Sequence, residues 1–324
     1  MKSFFSTLFA SCLGVILAVF AGFIILAGIA ASAVSGLSGS STGYSDNTIL
    51  KLNLENFIPE KTDNVPQSIS FSKMTDATGL RDIQLLLEAA AKDAKIKGIL
   101  IENSNVSVGQ ASILNLLESL KAFKESGKFI YSYADNHSQS SYMLCSIADS
   151  IFLNPQGAVD LRGFGASIPF FKGMLDKVGV EMNIFYAGNF KSATEPFRLT
   201  EMSEYNKIQT RAFLKDMEAV MVDQISKNRN IAPEKIEAIM AGVEGRTAKK
   251  ALENKLVDAL FYQDQLDDFL RAKLGVKEGK KIKMISLSKY STLAKLDEEP
   301  STKNKIAILY AEGEIKYKDN QPGN

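Results

Sequence analysis

With one histidine, two cysteines and no tryptophan in 324 residues, the chain lacks the material for several chemistries. A single histidine rules out zinc sites built on several imidazoles, and any histidine-dependent triad must use His137. That residue lies in Asp135-Asn-His-Ser-Gln139, which reads as a loop entering a helix and gives no sign of catalysis. Of the two cysteines, Cys12 falls in the apolar N-terminal segment, which leaves the rest of the chain one thiol and no internal disulfide. Cys145 sits in the run Tyr142-Met-Leu-Cys-Ser-Ile147, where a packed, inert thiol is the better reading than a nucleophile. Charge of one sign is also missing. The net charge is +1 and no block of like charges occurs, so a nucleic-acid partner is not expected.

The longest absence is of charge altogether, from Ser3 to Ser45. Within it, residues 13–31 are largely apolar, about 28 Å of helix against a hydrocarbon core of about 30 Å. That length favours a membrane anchor over residues 1–34. A cleaved signal peptide (Ala31-Ser32-Ala33 has the small-x-small form) and a buried core helix are the alternatives. Lys2 precedes the segment and Lys51 and Lys61 follow it among acids, so charge hardly specifies orientation. Residues 35–48 begin rich in Ser and Gly and read as a tether.

What is present from Ile49 onward is alternation. Ile49–Leu54 has period two and predicts a strand, as do Gly98–Ile101, Phe129–Tyr133, Ile151–Leu153 and Val180–Tyr186. Between them, helical spacing predicts helices over Asp82–Lys95, Ala111–Glu125, Ser140–Ala148 and Phe170–Val178. Ser203 is placed to cap a long helix reaching Asn228 and Pro233 to start another, and Gly245–Asp258 resembles the helix that closes a repeat in the crotonase-like superfamily. Such succession implies an α/β fold with a mostly parallel sheet. With 45% hydrophobic residues the chain can bury a substantial core.

One lysine has an unusual address. In Tyr186-Ala-Gly-Asn-Phe-Lys191-Ser-Ala-Thr-Glu-Pro-Phe197 it stands between an apolar run and a turn of small residues. A lysine becomes a base near neutral pH only when its surroundings disfavour the ammonium. The plainer reading is an ion pair between Lys191 and Glu195, four residues on. The stretch Asn189–Phe197 resembles the lysine motif of the signal peptide peptidase A (protease IV) family, in its long, two-repeat type. So, in the family's order, do Gly98-Ile-Leu-Ile-Glu102, Ser126-Gly-Lys128, Asp135–Gln139, Asn154-Pro-Gln-Gly-Ala-Val-Asp160 and Ala251–Asp258. The resemblance runs from about Ile49 to the end of the chain.

It implies a crotonase/ClpP-like spiral of ββα units over residues 49–300, behind an N-terminal transmembrane helix. It also implies a serine peptidase of the Ser/Lys dyad type, with Lys191 as the catalytic base and Ser192 and Thr194 as its orienters or as turn stabilisers. No metal or organic cofactor is required. Implied partners are peptide substrates (remnant signal peptides), the bacterial inner membrane, with the catalytic part outside the cytoplasm, and further copies of the chain. The family's serine follows an Asn-Ser-Pro-Gly-Gly turn; here the matching stretch is Asn103–Ser112, with Val108 at the nucleophile position and Ser107 beside it. A one-residue slip turns a side chain to the other face, so Ser107 is a poor substitute. In the long type the lysine and the serine belong to different repeats, which accounts for a matched lysine motif and a degraded serine motif. Leu50–Ile58 can be laid over Ala307–Ile315, so residues 301–324 read as the start of a second repeat. The rival readings are an inactive, membrane-tethered peptide-binding scaffold and a crotonase-type acyl-CoA enzyme; the anchor and the lysine motif oppose the second.

Overall fold

The computed structural model describes residues 43–56, 58–61 and 78–294, together with residues 14, 20, 22–25, 308 and 309. Its compact part from Ser45 onward is a six-stranded sheet in the order β5-β4-β3-β2-β1-β6, every pairing parallel. The strands are β1 (Thr48–Leu52), β2 (Ile96–Glu102), β3 (Phe129–His137), β4 (Ser150–Val159), β5 (Ala259–Leu260) and β6 (Met284–Ser286). Helices α1 (Leu80–Lys92), α2 (Gln110–Lys124) and α3 (Gln139–Cys145) make the first three crossovers. Parallel strands need such crossovers, and burial on both faces explains why β1 and β2 are nearly continuous in Ile and Leu.

Acidic side chains complete the start of the ladder. Asp149, just before β4, accepts from the Ile130 amide at 2.8 Å, and Asp258, just before β5, accepts from the Ile151 amide at 2.7 Å. One face of the sheet is closed by α9 (Gln263–Leu274), whose Leu266 and Leu270 meet Ile49, Leu100, Tyr131, Tyr133 and Phe152. Phe152 stacks on Phe261 at 4.8 Å between ring centroids, and Phe269 stands edge-on to Phe152 and Tyr131. Such pairs add to area burial because edge and face carry opposite partial charge.

Three predicted elements come out differently. Val180–Tyr186 is irregular and mostly exposed, because a strand needs a neighbour and β5 and β6 form the edges of this sheet. The described residues therefore alternate βα, without the second strand of a ββα unit. The helix expected over Phe170–Val178 shortens to α4 (Lys172–Lys177), and that over Gly245–Asp258 to α8 (Ala248–Glu253). There Lys255 turns to φ 61° and sends Leu256 and Val257 into the core.

The long helix is present as α6 (Glu204–Arg229), capped by Ser203, and α7 (Pro233–Gly242) begins on its proline. The packing of α6 is one-sided along its length: Met221, Val222 and Ile225 are buried, while Ile208 and Phe213 are exposed. Among the described residues no helix is long and apolar enough to cross a membrane. The anchor expected over residues 1–34 lies outside them, apart from residues 14, 20 and 22–25, which are helical. Of the tether, residues 35–42 lie outside them, as does the second-repeat start at 301–324 except Ile308 and Leu309.

Candidate active site

Gly188, at φ 88°, reverses the chain in a conformation that costs a glycine little. Lys191 follows, at the head of a 3-10 turn (Ser192–Thr194) that runs into α5 (Glu195–Arg198). Its side chain is exposed, and no hydrogen bond or ion pair reaches its ammonium among the described residues. The expected pair with Glu195 is therefore absent, for a clear reason. Glu195 is 1% exposed, and its carboxylate is spent elsewhere.

One Glu195 oxygen accepts from the Ser203 hydroxyl at 2.6 Å. The other accepts from the Ser203 amide at 3.1 Å and the Asn206 side-chain amide at 2.8 Å. Arg198 approaches to 3.6 Å. Burial pushes this carboxyl up, but the hydrogen bonds from Ser203 and Asn206 and the Arg198 charge outweigh it and hold the group below the usual carboxylate range. Glu195 thus pins the lysine turn to the head of α6. Sequence spacing held no sign of this, since the partners sit eight and eleven residues away in an irregular stretch.

Ring contacts reinforce the pin. Phe190 stands edge-on to Tyr205 at 5.3 Å, Phe171 stacks on Phe197 at 5.8 Å, and the Arg198 guanidinium lies 4.0 Å from the centre of the Tyr186 ring. Thr194 accepts from the Arg198 guanidinium at 3.2 Å, so its hydroxyl serves the turn rather than the lysine. Glu195→Ala is expected to leave the Ser203 amide and Asn206 unpaired and to cost about 2 kcal/mol, roughly 5 °C in Tm. Faster proteolytic nicking within 186–200 should accompany it; an unchanged Tm and nicking rate would show that the carboxylate does not hold the turn.

The chain on either side of Lys191 exposes many apolar groups: Val178, Val180, Met182, Phe185 (96% exposed), Tyr186 and Phe190 before it, and Ile208 and Phe213 of α6 after it. Exposed apolar groups in such number mark a surface built to be covered.

The stretch at the nucleophile position ends β2 and leads into α2. Val108 offers no hydroxyl, and Ser107 donates its own to the Glu55 carbonyl at 3.0 Å. Behind it lies a buried polar group that spacing did not reveal. The Ser141 hydroxyl donates to the Asn103 carbonyl at 2.6 Å and stands 3.0 Å from His137 Nδ1. Having donated, it accepts from Nδ1–H; among the described residues His137 Nε2 and Asn103 Nδ2 have no hydrogen-bond partner. His137 is wholly buried and its pKa is pushed down to about 4 by desolvation. It is the last residue of β3 rather than part of a loop. Cys145, also buried, has its thiol pushed up to about 11 by desolvation, as the packed reading required. Among the described residues no group of three or more acidic, histidine or cysteine side chains is set to hold a metal ion.

Residues 122–277, from the end of α2 to beyond α9, match the family model for peptidase family S49. The chain carries a peptidase family S49 domain. Protease 4 of Salmonella typhi is 34% identical over 254 residues, covering 76% of this chain and 40% of that protein. Protease 4 of Haemophilus influenzae is 31% identical over 312 residues, covering 92% of this chain and 51% of that protein. This chain thus spans about half the length of the curated relatives it matches, and together they support an SppA-type S49 protein. The domain is also similar to a solved peptidase from Plasmodium falciparum, at 16% identity and a TM-score of 0.34 over 56% of this chain and 89% of that one. The S49 match spans Lys191, its turn and the Glu195 pin, and leaves Asn103–Ser112 outside.

Proposed function

We propose that this S49 chain is the lysine-bearing part of a membrane-anchored serine endopeptidase that degrades remnant signal peptides and other extended apolar peptides. The observation that carries the reading is the setting of Lys191: a turn fixed by a buried carboxylate presents an amine, unpaired among the described residues, within a stretch of chain rich in exposed apolar side chains. In this reading a second repeat, or another copy of the chain, covers that surface and brings the serine. Covering would strip water from the ammonium and favour the neutral amine. The amine then takes the serine hydroxyl proton, the oxygen attacks the peptide carbonyl, and the resulting ammonium protonates the leaving amine; water releases the acyl group by the reverse proton path. The crotonase-like spiral, the extracytoplasmic location, the single-pass anchor and self-association belong to the same reading. The order of the family's motifs supports the spiral, and the exposed helical Phe20, Phe23, Ile24 and Ile25 support the anchor.

One observation favours a second reading, an inactive tethered scaffold that binds peptide without cutting it: Val108 at the nucleophile position and the tied hydroxyl of Ser107. The two part in a single assay. The natural gene product, purified in mild detergent, is expected to cut a synthetic signal peptide within its apolar stretch, as read by mass spectrometry of the fragments. Saturable binding with no fragments would establish the scaffold and sink the peptidase.

A further inference from the structure

All six strands run parallel, so their starts share one edge of the sheet, opposite the edge where β2 leads toward the candidate nucleophile stretch. That edge is basic. Lys97, Lys124, Lys128 and Lys273 frame a hollow of about 350 Å³ floored by Phe129 and Tyr131, with Asp149 its single carboxylate. Asp149 is already taken, by Lys124 at 2.8 Å and by the Ile130 amide. The Lys273 ammonium stands 5.9 Å from the Phe129 ring centre and 6.0 Å from that of Tyr131.

Basic residues continue along the same edge, through Lys277, Lys280, Lys281 and Lys283, between α9 and β6. Two hydrogen bonds fix this stretch beside the start of β1: Asn47 donates to the Leu274 carbonyl at 2.9 Å, and Lys283 to the Asp46 carbonyl at 3.3 Å. Acids stand along this edge too, namely Asp46, Asp93 beside Lys128, Glu125, Asp149, Asp258 and Glu278; Asp149 and Asp258 are paired with Lys124 and Arg229, and the seven remaining lysines outnumber the other four acids, so positive charge prevails.

The same edge receives the chain from the uncharged N-terminal segment. Residues 35–45 separate that segment from the first strand and, fully extended, reach no more than about 40 Å. We propose that the strand-start edge is a docking face for an anionic lipid surface, its lysines meeting phosphate headgroups. The proposal rests on the anchored reading above. It goes beyond that reading in naming a face of the domain and the headgroup chemistry it meets. Attraction of this kind is screened within about 10 Å at moderate salt, so it acts only when the edge lies against the headgroups.

The test uses the unmodified full chain in lipid nanodiscs of phosphatidylcholine, alone or mixed with about one third phosphatidylglycerol, with lysine acylation rates read by mass spectrometry. On anionic discs at low salt, Lys273, Lys280 and Lys281 are expected to react at least about threefold more slowly than on neutral discs, and to recover in high salt. Lys207, at the head of α6, serves as reference and should not change. Equal rates on both discs would overturn the proposal. So would equal protection on neutral discs by inorganic phosphate alone, which would mark a free-anion site. The anchor is read separately: release of the chain from membranes by alkaline carbonate would sink the anchored reading and the docking face with it, whereas retention with equal acylation rates sinks the docking face alone.

Discussion

Lys191→Met, made in the natural gene product, is expected to lower peptide hydrolysis by about 10³-fold or more while leaving expression and Tm unchanged. The structure explains why the two effects separate. The side chain is exposed and unpaired among the described residues, so nothing in the packing or hydrogen bonding of the chain depends on it. The turn that carries it is held by Glu195, Phe190 and Arg198, none of which the substitution touches. Lys191→Arg sharpens the result. A guanidinium keeps its proton and its charge, so it can replace lysine as a partner for an anion but not as a base. Both variants should therefore be equally inactive. Ordinary turnover in either, measured as initial rates on a quenched apolar peptide, would remove Lys191 from the base role.

The second large effect concerns acid. His137 has a folded pKa of about 4 against an ordinary value of 6.5. The depressed folded value means that the unfolded chain binds the extra proton first as the pH falls. Stability is thus fully present above pH 6.5, declines between about 6.5 and 4, and is then lost to the extent of about 3 kcal/mol. Denaturant unfolding across that window should show this decline as a falling midpoint at constant m-value. Because His137 is the sole histidine, its imidazole signal in proton NMR is assigned by default. A titration midpoint near 6.5 in the folded protein would refute the burial argument, whatever the unfolding curves show.

The strands β1 to β4, the helices between them, the Ser203 cap and the proline start of α7 were all legible, because local period and capping chemistry decide them. The inert setting of Cys145 was legible from its apolar neighbours for the same reason. Tyr186 and its predecessors show the limit: Val180–Tyr186 has a strand's composition but no strand to pair with, and pairing is not a local property. β6 joins β1 from more than 230 residues away, and no window of sequence contains both. His137 reads as part of a polar loop, yet it is buried against Ser141, whose hydroxyl in turn donates to the Asn103 carbonyl beyond the end of another strand. For the candidate site, the lysine was legible through its motif and the pin was not. Glu195 stood out only as a neighbour for Lys191, whereas its real partners are Ser203 and Asn206.

Ser203 carries two duties with one hydroxyl. Its oxygen accepts from the Asn206 amide, closing the first turn of α6, while its proton goes to Glu195. The helix and the lysine turn therefore share a keystone, and the order of one is the order of the other. The outer turns of α6 make little contact with the body of the domain and expose Ile208 and Phe213. Whatever packs against those turns stiffens the helix head, and through Ser203 it steadies the turn that aims Lys191. A contact made well away from the amine can in this way govern how firmly the amine is held.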